Sequence, residues 1–137
     1  MDNISLLIPS KREYVSTARL TVSSVASNLG YDIEKVEDIK VAVGEALNNA
    51  VIHSGTTQNI EINMSFNNEE LSIEIIDNGN GFDLDCDIDF DVEKYEGNGL
   101  GLYLMQSLMD KITVQSKKSH GTKVVMIKKI WGVNESI

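Results

Sequence analysis

Ile60 to Gly81 reads IEINMSFNNEELSIEIIDNGNG, and the reading of this stretch decides the fold. Ile60, Ile62, Met64 and Phe66 alternate with polar residues, and Leu71, Ile73 and Ile75 do the same after Asn67-Asn68. A period of two turns one side of each run to a core and the other to water, so the pair predicts a β-hairpin with the asparagines as its turn. Upstream the period is helical. Val36, Ile39, Val43, Ala46, Leu47 and Ala50 recur at spacings of three and four, which predicts a helix from about Asp32 to Gly55 with that stripe on the core. Before it, Val15, Ala18, Leu20, Val22, Val25 and Ala26 predict one buried face of a helix that runs to about Asn28 and stops at Gly30. Pro9 and Ser10 with Glu13 three residues on match a capping box at its start, and residues 3–8 (NISLLI) read as a short strand.

Downstream, LYLMQSLMD (102–110) predicts a third helix, and ITVQSKK (112–118) with TKVVMIKKI (122–130) a second hairpin about Ser119-His120-Gly121. The order strand, helix, helix, strand, strand, loop, helix, strand, strand predicts an α+β fold. It is a two-layer α/β sandwich, three helices packed on one face of a mixed, mainly antiparallel sheet. No repeat or long linker divides the chain, so residues 1–137 are expected to form one domain, with residues 131–137 fraying.

Composition narrows the function. The 137 residues are 42% hydrophobic and 24% charged, which is globular, and 12 Lys+Arg against 21 Asp+Glu give a net charge of −9. So acidic a chain lacks the footprint for a phosphate backbone or an anionic bilayer, which excludes nucleic acid and membrane as direct partners. The single Cys86 forms no internal disulfide, no leader-like segment opens the chain, and the apolar runs fall far short of a membrane helix. The expected location is the cytoplasm. The charge is uneven, since residues 83–96 (DLDCDIDFDVEKYE) hold seven acids and one Lys. A calcium loop starting at Asp83, Asp85 or Asp87 fails, because the sixth position is Ile88, Phe90 or Val92 and never Gly. The alternation of acids with Leu84, Ile88, Phe90 and Val92 fits a short edge strand whose charges deter pairing, or a partner contact.

Three segments could carry chemistry. At about 100° per residue, Glu45 and Asn49 share a strip of the second helix away from its core stripe, with Asn48 beside them. A carboxylate one turn from an amide can hold a hydroxyl and a Mg²⁺ side by side, although such a strip is also what a solvated helix face looks like. Asp77-Asn78-Gly79-Asn80-Gly81 at a strand end can receive an exocyclic amine and let a flat base approach the backbone; it is equally a turn signal. Gly97-Asn98-Gly99-Leu100-Gly101-Leu102 opens into a helix and suits a polyphosphate at the helix N-terminus, without being a P-loop or a Rossmann turn. His53, near a helix end, reads as a favourable charge there or a packed ring, and Cys86 as an inert thiol.

Taken in order and spacing, Glu45/Asn49, DNGNG, GNGLGL and Gly121-Thr122 resemble the N, G1, G2 and G3 boxes of the GHKL (Bergerat-fold) ATPase superfamily. From REYVSTARLTVSSVASNLGY through VEDIKVAVGEALNNAVIH to GLGLYLMQSLMDKI the chain is similar to the anti-sigma factors that are serine-protein kinases, the RsbW type. The resemblance implies that ATP or ADP and Mg²⁺ bind, with Glu45 the catalytic base, Asn49 on the metal, and Asp77, Gly79, Gly81, Gly99, Leu100, Gly101, Leu102 and Thr122 around the nucleotide. It implies an ATP lid over about 82–98 and a partner contact at Arg19, a residue type that on a surface is usually just solvated. The implied partners are an anti-anti-sigma factor as phosphoacceptor, a sigma factor, and a second copy in a homodimer. Some relatives place an Arg ahead of the G2 glycines, where this chain has Gly97. That departure leaves open a nucleotide-gated binding module with weak or no kinase activity.

Overall fold

The computed structural model describes residues 2–54, 58–79, 84–86, 99–117 and 120–131. Strand β1 is Asp2–Pro9, followed by a 3₁₀ turn at Arg12–Tyr14 and helices α1 (Val15–Asn28) and α2 (Ile33–Ser54). Then come β2 (Asn59–Phe66), β3 (Glu70–Asp77), β4 (Leu84–Cys86), α3 (Gly99–Leu108), β5 (Lys111–Lys117) and β6 (Gly121–Lys129). The strands lie in the order β1-β2-β3-β6-β5-β4. Every neighbouring pair is antiparallel, which sharpens the expected mixed sheet: β3 and β5 run the same way, but β6 separates them. A sixth strand, β4, joins the five read from the hairpins and the first strand: it falls inside the acidic stretch, where the alternation allowed a short edge strand, and pairs with β5 at the sheet edge.

Register follows the hydrophobic pattern. Ile62 faces Ile75, Ile73 faces Met126 and Val114 faces Val124, so one face of the sheet is apolar across its strands. Against it pack Ala18, Val22 and Ala26 of α1, Ile39, Val43 and Leu47 of α2, and Met105 of α3, all buried. The opposite face is polar and linked across strands. Ser5 Oγ donates to Asn63 Oδ1 at 2.8 Å, Asn63 Nδ2 donates to Glu74 Oε1 at 3.2 Å, and Lys123 Nζ pairs with Glu74 Oε2 at 3.2 Å.

The ends of the helices depart from the sequence reading in instructive ways. Ser10 caps no helix: its backbone N–H reaches Gln58 O at 2.9 Å, holding the chain to the sheet until the 3₁₀ turn, and no side-chain cap precedes that turn or α1. Leu20, expected in the core, is 55% exposed, because Val15, Ala18, Val22 and Ala26 alone define the buried face of α1. The stop at Gly30 is as expected. Gly30 takes φ +100°, its N–H bonds Ser27 O and the Tyr31 N–H bonds Ala26 O, a Schellman closure. Asp32 caps α2 by accepting the Lys35 backbone N–H at 2.9 Å, and this bond, with the Lys35 ammonium, holds its carboxyl below the usual range.

Two buried polar groups tie the layers. The Tyr31 hydroxyl accepts the Leu71 N–H at 2.9 Å and donates to Lys128 O, and burial pushes its phenol up to about 12. Lys128, on the helical side of β6, donates to Leu108 O at the end of α3 and pairs with Asp38 of α2 at 3.4 Å. The predicted lid over 82–98 and tail over 131–137 lie outside the described residues, except for Leu84–Cys86 and Trp131.

Candidate nucleotide site

Helix α2 brings Glu45 and Asn49 to one side, and α3 covers them. The predicted third helix starts earlier than LYLMQSLMD, at Gly99, so Gly99 and Gly101 lie in its first turn rather than in a connector before it. A methyl group added at Gly101 would lie 3.1 Å from Glu45 Oε2 and 3.6 Å from Asn49 Nδ2. The glycine is there for room: its φ is not positive, and any side chain would press on the carboxylate. Glu45 and Asn49 are therefore half-buried beneath a helix N-terminus, not on a freely solvated face. Gly99 and Leu100 begin that terminus, where backbone N–H groups lack intrahelical acceptors. Leu102 turns its side chain into the core at 4% exposure, so only its backbone is available to a ligand.

A second group forms where β3 ends. Asp77 is 5% exposed, and its Oδ1 accepts the Gly79 N–H at 3.0 Å, which shapes the chain into an Asx turn. Its register partner on β6 is Thr122, whose Oγ1 lies 2.7 Å from Ser116 Oγ on β5; Ser116 also donates to Gly121 O at 3.2 Å. Gly121 holds φ +85°, and a Cβ there would sit 2.1 Å from Asp77 O. Only glycine lets β6 come this close behind the buried carboxylate. Gly121's contact and Ser116 were not singled out as site residues in the sequence. The hairpin register, which pairs Ser116 with Thr122, was the signal that could have found them.

Arg19 lies on the other flank of α2. Its Cδ and Nη1 are 3.2 and 3.5 Å from where a Cβ of Gly44 would be, and its buried Nε has no hydrogen-bond partner among the described residues. Gly81, Gly97 and Asn98 lie outside the described residues, as do the side chains of His53 and Cys86. Among the described residues no three His, Cys, Asp or Glu side chains gather for a metal. Mg²⁺ takes one or two protein oxygens and fills the rest with water and phosphate. The oxygen donors Glu45 and Asn49 are of the kind it prefers.

A helical layer on an antiparallel sheet, with a carboxylate and an amide of one helix under the glycine-rich start of another and a buried Asp at a strand end, defines a histidine-kinase-like ATPase. Residues 8–128 match the family described as Histidine kinase-like ATPase domain. Serine-protein kinase RsbW of Bacillus velezensis is 38% identical over 143 residues, covering 96% of this chain and 88% of the relative. Serine-protein kinase RsbW of Bacillus subtilis is 39% identical, with 96% of this chain and 88% of the relative covered. The anti-sigma F factor of Clostridium acetobutylicum is 36% identical, with 93% and 94% covered. Among solved structures, the RsbU and RsbW domains of a Mycobacterium tuberculosis protein superpose with a TM-score of 0.71 at 16% identity, covering 93% of this chain and 32% of that one. The chain belongs to the histidine kinase-like ATPase family and, within it, to the RsbW serine-protein kinases.

Proposed function

We propose that this chain is an ATP-dependent serine/threonine protein kinase and anti-sigma factor, which phosphorylates a small STAS-type anti-anti-sigma protein and sequesters a sigma factor. The observation that supports the reading is the seat of Gly101 on Glu45 and Asn49, a carboxylate and an amide beside a helix N-terminus.

In this reading Asp77 receives the adenine amine, with Gly79 and Gly81 shaping the base pocket and Thr122 supporting Asp77 from β6. Backbone amides of Gly99, Leu100, Gly101 and Leu102 face the phosphates. Asn49 would hold Mg²⁺, which offsets the charge of the polyphosphate. The serine Oγ attacks the γ-phosphorus, the bond to the β–γ bridging oxygen breaks, ADP leaves, and the hydroxyl proton passes to Glu45. Most of the rate comes from alignment, because phosphoryl transfer asks little covalent chemistry of the protein. Residues 82–98 act as the ATP lid of this single domain, Arg19 contacts the protein partner, the kinase works as a cytoplasmic homodimer, and the chain meets neither nucleic acid nor membrane directly.

The test incubates the protein with γ-labelled ATP, Mg²⁺ and a STAS-domain anti-anti-sigma protein of the same organism, with Glu45→Ala as control. Label on a serine or threonine of the antagonist with wild type, and none with the variant, is the expected result. Because Gly97 stands where some relatives carry Arg, a second outcome has its own meaning. Tight MgATP binding with no transfer to any such antagonist would make the chain a nucleotide-gated binding module instead.

A further inference from the structure

An interior glycine weakens a helix relative to alanine, so Gly44, in the middle of α2, needs a reason. The backbone supplies none, because positive φ among the described glycines is confined to Gly30 and Gly121. Space supplies one. The Arg19 side chain crosses from α1 onto α2 and occupies the volume a Gly44 side chain would fill, Cδ at 3.2 Å and Nη1 at 3.5 Å from the Cβ position. Lying there shuts its Nε away from solvent without a hydrogen-bond partner, and no described residue forms an ion pair with it. A solvated surface arginine would do neither.

We propose that Gly44 is a positioning residue: its missing side chain seats the Arg19 side chain against α2, so that the kinase presents a fixed cation to a carboxylate of its protein substrate. The inference rests on the reading of Arg19 as a partner contact. At about 100° per residue Val41 and Ile52 fall between Gly44 and Glu45 around α2, and they are 43% and 61% exposed, so the strip that joins the seat to Glu45 is open to a partner. On a chain of net charge −9, an acidic partner surface is repelled except where a cation stands unpaired. A seated arginine has also lost its rotamer freedom before binding, so less entropy is lost on contact.

Gly44→Ala tests the seat and is a favourable change for helix propensity, so lost binding cannot be blamed on unfolding. Calorimetric titration with the same STAS-domain antagonist should show Kd raised roughly threefold to tenfold, with MgATP affinity unchanged and a thermal midpoint equal to or above wild type. Arg19→Ala should weaken the antagonist at least as much, and Gly44→Ala should add nothing on that background. A second readout needs no partner. The chain has two arginines, so a ¹H–¹⁵N spectrum has two Nε–H signals, and Arg12 is exposed as an internal reference. The Arg19 signal should be protected and distinct in wild type and merge toward that of Arg12 in Gly44→Ala. If Arg19→Ala weakens binding while Gly44→Ala does not, the seat is refuted and the partner reading stands. If neither change matters, both fall.

Discussion

Replacing Gly101 by alanine is the sharpest probe of the site, because the structure gives its consequence as a distance. The new methyl carbon would lie 3.1 Å from Glu45 Oε2. Carbon–oxygen contacts of this kind settle at ~3.3–3.6 Å, so the carboxylate must retreat by several tenths of an ångström, or α3 must lift by as much. A misplacement of about 1 Å at a reacting group costs ~10²-fold, so a shift of this size should lower turnover about tenfold, ~1.4 kcal/mol of barrier. Stability should move the other way or not at all, since exchanging a helical glycine for alanine favours the helix by up to ~1 kcal/mol. The assay is steady-state phosphorylation of the antagonist at saturating ATP, with thermal unfolding alongside. Wild-type turnover in Gly101→Ala would refute the placement of Glu45 beneath α3 as the working base. A marked fall in thermal midpoint would refute the argument in another way, by making the loss one of folding.

Gly121→Ala should be far more damaging to the fold, because a Cβ 2.1 Å from Asp77 O meets backbone at φ +85°; we expect a loss of about 2–4 kcal/mol in denaturant unfolding, with weakened ADP binding. Tyr31→Phe removes the donor to Lys128 O and the acceptor for Leu71 N–H, and should cost about 1–3 kcal/mol in the same measurement. Its folded phenol lies above the unfolded value, so this stability is full below pH ~10 and is lost as pH rises through about 12; in an absorbance titration one of the four tyrosines should ionise last. Asp32→Asn should keep the α2 cap but lose its pH dependence. The depressed carboxyl contributes above its unfolded value of ~3.9 and less as pH falls through its lower folded value, so wild type and variant should converge in acid.

Much of the architecture was legible because burial leaves a period in the sequence. Ile60, Ile62, Met64, Ile73 and Ile75 alternate, and Ile39, Val43, Ala46 and Leu47 fall at helical spacing, and all are buried. Leu20 misled because hydrophobicity counts toward a helical pattern wherever it falls, while the burying face is chosen by what the helix packs on. The Ser10–Glu13 pattern misled because a bond across the sheet competed for Ser10. At the site, Glu45, Asn49 and Asp77 could be picked out as residue types in a pattern. What one-dimensional spacing could not carry was contact between distant positions: Gly101 against Glu45, Gly121 against Asp77, and Gly44 beneath Arg19. Each of the three is a glycine whose reason is a neighbour far away in sequence.

The grip of Lys128 on Leu108 O and Asp38 fixes α3 at the end remote from its glycines. From Leu108 back to Gly101 is ~10 Å along the axis, so a tilt of about 10° about that anchored end swings the first turn by ~2 Å while the far end stays still. A tilt about that end would make α3 a lever with its fulcrum at Lys128, and a displacement at its free end would be felt at Glu45 and Asn49. The buried lysine that looks like a stabilising tie would then also decide which end of α3 is free to move.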